Sequence, residues 1–222
     1  MPLTFPYETL KARSVRFDIA GSSIGGGLSN NGQQQIVNAS GGGLWILSLS
    51  GFIIRTPAQI RAWRRIQYGS QAGVVPVNVP VCELRNAPIS GVPHSDGSPF
   101  SDGSLYRWLD VAASTVGNMA LRATSGVFSF DGGAEPEGGE LFSIEYATGY
   151  HSLHAITSVT PSGDNFAVTF APPTRAAVVS GSALEFKHPT CTMRLASPDA
   201  MALTVDLARF AGPSATFVEY FA

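Results

Sequence analysis

The sequence predicts an all-β protein: one or more β-sandwiches with a single short amphipathic helix packed on the first sheet. Three observations carry this expectation. Apolar and polar residues alternate with the period of a strand through most of the chain. Turn formers are abundant, with 24 glycines and 15 prolines in 222 residues. They cut the chain into segments roughly every ten residues, the spacing of a sandwich or barrel. Only one stretch, 57–68, has the apolar spacing of a helix.

The first strand is expected over 11–20, where Val15, Phe17 and Ile19 share one side and Arg16 and Asp18 the other. Residues 21–29, with glycines at 25–27, read as a loop. A short strand at 33–38 is turned by the glycines at 41–43 into the apolar central strand 44–54, in which Trp45, Leu47 and Leu49 alternate with Ile46, Ser48 and Ser50. Thr56 is placed to cap the helix, and Pro57 suits its first position because that amide has no partner to lose. Ile60, Trp63 and Ile66 or Gln67 share the inward side, Arg61, Arg64 and Arg65 occupy the rest, and Gly69 ends the helix.

Residues 73–84 alternate, but Pro76 and Pro80 mark an edge strand or a bulge. A long loop follows over 86–104, containing Ser-Asp-Gly-Ser at 95–98 and again at 101–104. Loops of that length inside a compact domain usually serve a binding or contact role. Further strands are expected at 105–111, 118–123, 126–130, 141–146, 184–187, 190–195, 202–207 and 215–220, with a hairpin pairing 151–159 to 165–170. The organisation this predicts is an N-terminal β-sandwich over 1–104 with helix 57–68, then a C-terminal β domain over 105–222, unless the two merge.

Composition narrows the function. Charged residues are 14% of the chain, the formal net charge is -2 and the pI is about 6.1, which argues against a broad grip on nucleic acid. A surface so poor in charge is expected to be partly covered by other subunits. The first residues lack the pattern of a signal peptide, and no run is long enough to span a bilayer, so synthesis in the cytoplasm and no membrane insertion are expected. Cys82 and Cys191 have no metal-binding spacing; two buried thiols are the simpler reading, a disulfide the other.

Candidate chemistry centres on the 86–104 loop. Asp96 and Asp102 are weak calcium candidates, since that ion takes oxygen ligands, but Asp-Gly pairs are common turn formers and their spacing is not that of an EF-hand. His151 and His154 fall on opposite faces of a strand, which does not suit a metal pair. The glycine runs at 25–27 and 41–43 lack the lysine of a phosphate loop, and no Gly-x-Ser-x-Gly, HExxH or Walker sequence occurs. Glu140, Glu145, Asp164 and Glu185 remain as carboxylates that only folding could bring together. Trp45 and Trp63 sit on core-facing positions and are expected to be buried.

The order of segments resembles structural proteins from the tail-gene clusters of tailed bacteriophages. The resemblance rests on Arg-Thr-Pro-Ala-Gln-Ile-Arg-Ala-Trp at 55–63, on the loop 91–106, and on Gly-Glu-Leu-Phe-Ser-Ile at 139–144. Pro-Pro-Thr-Arg at 172–175 and Cys-Thr-Met-Arg-Leu at 191–195 complete it. It spans about 44–195. Glu140 stands where that pattern has an aspartate, and the N-terminal glycine runs fall outside it.

This resemblance implies a ring-forming distal tail or tail-tip component of the virion that joins the tail tube to the hub or fibres, with no enzymatic activity and no cofactor. Its partners would be further copies of itself and other tail proteins. Arg61, Arg64, Arg65, His94, Phe100 and Tyr106 are the expected subunit contacts. The alternative from another class is a glycan-binding β-sandwich that touches the host surface. A third reading, a polysaccharide hydrolase, would need an unrecognised carboxylate pair.

Overall fold

The structure, a computed structural model, describes residues 1–222 except 22, 29–30, 39–41, 82–89, 93, 104–105, 109–110, 132–133, 147–148, 205–210 and 222. Its first strands are β1 (Leu3–Thr4), β2 (Ser14–Ala20), β3 (Ser23–Leu28), β4 (Gln34–Asn38) and β5 (Leu44–Ser50), followed by the helix α1 (Pro57–Gly69). A 3-10 turn at Gln71–Gly73 leads to β6 (Val77–Pro80), β7 (Ser90–Val92), β8 (Tyr106–Trp108), β9 (Ala113–Thr115) and β10 (Ser125–Phe130). The chain continues through β11 (Leu141–Glu145), β12 (His151–Ser162), β13 (Asn165–Ala171), β14 (Ala183–Glu185), β15 (Thr190–Leu195) and β16 (Ala215–Glu219). The fold is all-β with one short helix, as the sequence predicts. It forms two compact units, one of Met1–Pro80 with Thr192–Ala222 and one of Val81–Cys191. The expected boundary at 104/105 falls inside the second unit, which begins at Val81, and the C-terminal strand β16 belongs to the first sheet.

In the first unit six strands form one sheet in the order β1-β6-β15-β16-β5-β2. Trp45, Leu47 and Leu49 fill one face of β5, where Leu47 pairs with Phe217 and Leu49 with Ala215 of β16. The helix is held by rings in sequence: Phe217 meets Phe5 at 6.0 Å, Phe5 meets Phe52 at 6.3 Å, and Phe52 meets Trp63 edge-on at 5.0 Å. Trp63 and Ile66 are buried and the Trp63 indole N–H donates to the Met201 carbonyl at 3.0 Å. The amphipathic spacing dictates this orientation, and it leaves Arg61, Arg64 and Arg65 exposed. Thr56 Oγ1 accepts the Gln59 N–H at 3.2 Å while Gln59 Oε1 accepts the Thr56 N–H at 3.1 Å, a reciprocal cap for α1.

Two expectations in this unit are corrected. The glycine-rich segment expected as a loop forms β3, which pairs with β4 as a ribbon beyond the β2–β5 ladder. Backbone pairing needs no side chain, so glycine content did not prevent it. The central strand ends at Ser50 rather than residue 54, because Gly51 turns at φ 70; Ile54 then makes a single bridge to Ala211.

The second unit is a closed antiparallel barrel in the order β10-β13-β12-β11-β14-β9, with β9 pairing back to β10. A barrel rather than a sandwich is the second architecture that strand spacing allows. Phe128, Phe142, Ile144, Ile156, Val168, Phe170, Leu184 and Phe186 fill its interior. The predicted hairpin is present as β12–β13. By contrast, 118–123 is not a strand: Met119 makes one bridge to Val178, and Arg122 turns with φ 65. The stretch 86–104 is not loop throughout, since Ser90–Val92 pairs with Tyr106–Trp108. Residues 202–204 are not a strand either, and 205–207 lie outside the described residues, as does Cys82. Cys191 is buried.

Candidate functional site

The register of the barrel brings together chemistry that sequence order keeps apart. Glu145 at the end of β11 pairs with His151 at the start of β12, and Ser143 two residues earlier pairs with Glu185 of β14. Opposed residues and residues two apart share a face, so these four project from one side of the wall. That side is the outer one, because Phe142, Ile144 and Leu184 between them belong to the interior. The segment between β14 and β15 contributes His188 and Thr190, and the result is a concavity of about 310 Å³ lined by Ser143, Glu145, His151, Ala183, Leu184, Glu185, His188 and Thr190.

Hydrogen bonds build its floor and rim. The Thr190 N–H donates to Ser143 Oγ at 3.0 Å, and the His188 N–H donates to Glu185 Oε1 at 2.8 Å. Burial pushes the His151 imidazole below its usual range, although the Glu145 and Glu185 carboxylates oppose that shift. The lining therefore holds two carboxylates, two imidazoles and no Lys or Arg. Such a lining attracts a cationic group and offers it oxygen acceptors. Among the described residues, no group of three or more His, Cys, Asp and Glu is arranged to hold a metal ion.

The expected contact loop lies elsewhere in the second unit. Two tight turns occupy it: the Gly97 N–H donates to the His94 carbonyl at 2.8 Å and the Gly103 N–H to the Phe100 carbonyl at 2.8 Å. Asp96 Oδ1 accepts both the Ser98 N–H at 3.0 Å and the Ser98 hydroxyl at 2.6 Å, which hold its carboxyl below the usual carboxylate range. That is a turn-forming role for Asp96. Asp102 is exposed on the second turn. His94 and Phe100 stack edge to face at 4.6 Å, with Phe100 37% exposed, and Tyr106 enters β8 opposite Val92.

His151 and His154 separate as a strand requires. His154 points into the barrel, against Phe142 and Phe170 at 5.3 and 5.1 Å. Its Nδ1 lies 2.7 Å from the Pro172 carbonyl, an acceptor, so Nδ1 carries the proton and Nε2 accepts from Ser152 Oγ at 2.6 Å. Ser152 in turn accepts from the Tyr146 hydroxyl at 2.9 Å, and Tyr146 from the Arg175 N–H at 3.2 Å. A serine on a histidine is the geometry of an activated nucleophile. Here Ser152 is 3% exposed and its hydroxyl is committed on both sides, so the chain orders the barrel interior. Burial keeps His154 neutral, its pKa pushed down to about 4.

Of the four carboxylates named from sequence, folding gathers Glu145 and Glu185. Glu140 sits apart at the start of β11, where burial pushes it up to about 7 against the pull of the Glu137 N–H, and Asp164 lies in the β12–β13 turn. His188, Ser143 and Thr190 were not anticipated, and only the pairing of β11 with β12 and β14 reveals them. A second concavity, about 370 Å³ in the first unit, mixes Glu8 with Lys11 and Arg13 and includes the capping residue Gln59. No helix among the described residues is long and apolar enough to cross a membrane. Compared with known proteins, the chain matches no protein family and no curated protein.

Proposed function

We propose that this chain is a structural protein of a tailed-bacteriophage tail, a ring-forming component near the tail tip that connects the tube to the hub or fibres. Made in the host cytoplasm and incorporated into the virion, it acts through interfaces with its own copies and with neighbouring tail proteins, without catalysis or a cofactor. The observation that supports this reading best is the open side of the first sheet. β2 pairs only with β5 among the described residues and leads directly into the β3–β4 ribbon, on which Ile36 is 64% exposed. An unpaired edge continuing into a ribbon is a template for another chain. The sequence resemblance over 44–195 and the low charge of the whole chain point the same way.

The test is the mass of the purified protein across a concentration series, followed by negative-stain imaging. Closed rings of one stoichiometry are expected. Persistent monomers that instead bind glycans in a chelator-sensitive way would replace this reading with host-surface attachment. Phe100→Ser with Tyr106→Ser is expected to impair incorporation into tails, and unchanged incorporation removes the 94–106 region from the contact surface.

A further inference from the structure

The exposed side of α1 is basic, and the outer concavity of the barrel is lined by two carboxylates. Arg61, Arg64, Arg65 and Tyr68 recur at helical spacing and form one ridge, with Tyr68 68% exposed. Residues 57–69 contain no Asp or Glu. Among the described residues none of the three arginines, nor Glu145 or Glu185, forms an ion pair. The concavity has no basic side chain of its own besides its two histidines, and its roughly 310 Å³ admits a guanidinium with part of its stem. Arginine and tyrosine are the residue types enriched where protein surfaces meet, and a planar guanidinium matches a carboxylate with two parallel hydrogen bonds.

We propose that the arginine ridge of α1 in one copy docks on the Glu145–Glu185 concavity of the next copy. The proposal rests on the ring reading and names one of its contacts. The occupant is a second copy because each chain supplies one basic ridge and one acidic concavity. Two different surfaces that meet in this way make a head-to-tail contact, which propagates and closes into a ring when the rotation allows it. Arg64 and Arg65 are the residues set against Glu145 and Glu185, with Tyr68 covering the rim and excluding water.

The test uses two charge-reversed proteins, Arg64→Glu with Arg65→Glu and Glu145→Arg with Glu185→Arg, compared with the wild type by sedimentation velocity. Each alone is expected to self-associate about tenfold more weakly or worse, since like charges then face each other. Mixed in equal amounts, they regain assembly with alternating copies, because the reversed ridge of one fits the reversed concavity of the other. Unchanged circular dichroism of each variant is expected from exposed positions. Should either variant misfold, the wild type alone still decides: its assembly weakens as salt rises, and salt-insensitive assembly overturns the contact. Wild-type rings that both variants form equally well, or a mixture that fails to recover, overturn this contact and leave the ring reading in place. A wild type that stays monomeric at every concentration overturns both.

Discussion

Each barrel strand in the second unit has a partner on both sides, and the polar groups that enter its interior are committed from end to end, from the Arg175 N–H through Tyr146, Ser152 and His154 to the Pro172 carbonyl. The sheet of the first unit instead ends at β2, which pairs only with β5 among the described residues and whose Ile19 is 40% exposed. Closure removes edges from a sheet, and openness leaves capacity for association. The contacts proposed above use the first unit's edge, ribbon and arginine ridge, and the outer wall of the barrel, where neither Glu145 nor Glu185 forms an ion pair with Lys or Arg among the described residues.

The contrast breaks first in the cores. Phe142 is fully buried among Phe128, Phe170 and Phe186 at 5.2, 5.5 and 5.4 Å, and Phe142→Ala is expected to cost about 3–5 kcal/mol. Hydrogen exchange should place that loss in β10–β13 and spare β5 and β16; equal loss in both sets would mean that the units unfold as one.

A pH titration sharpens the comparison within the barrel. His154 has a folded pKa near 4, below its unfolded 6.5. Its contribution is therefore complete above 6.5 and is lost as pH falls from 6.5 towards 4, on the order of 3 kcal/mol. Glu140 works in the opposite sense: its folded pKa near 7 exceeds the unfolded 4.5, so its contribution is present at low pH and lost as pH rises to 7, reduced by the water that still reaches it. The two slopes oppose each other between 4.5 and 6.5. Glu140→Gln should unmask the histidine, and chemical denaturation at several pH values should then show stability climbing with pH across that range. A flat profile in the variant contradicts the burial of His154.

The smallest effect belongs to the first unit. Thr56→Ala removes the acceptor of the Gln59 N–H and is expected to lower the stability of that unit by about 1 kcal/mol, again localised by hydrogen exchange, this time to α1.

Local pattern made much of this fold legible. The period of two in β5, and the Thr-Pro start and tryptophan spacing of α1, are properties of neighbouring residues, and they predict those elements and their buried faces. β12 and β16 were legible as strands, although β12 buries Ser152, Leu153 and His154 in succession. The separation of His151 from His154 follows from the same period. Where the pattern misled, long-range pairing had decided the outcome. The glycine run at 25–27 joins a ribbon because β4 is there, with Gly25 opposite Ile36 and a bulge before Leu28, whereas the run at 118–123 keeps only one bridge and turns at Arg122.

The candidate site was less legible. Glu145 and Glu185 were visible only as two carboxylates among several, and His188 drew no notice. From the sequence alone came the all-β class, the one helix with its exposed arginines, and the turn chemistry of Asp96, because each depends on contacts a few residues apart. Only tertiary structure decided that the second unit closes into a barrel, that the C-terminal strand returns to the first sheet, and that Glu145, His151, Glu185 and His188 line one concavity. Those outcomes depend on which strands pair and in which register, and no local pattern carries that information.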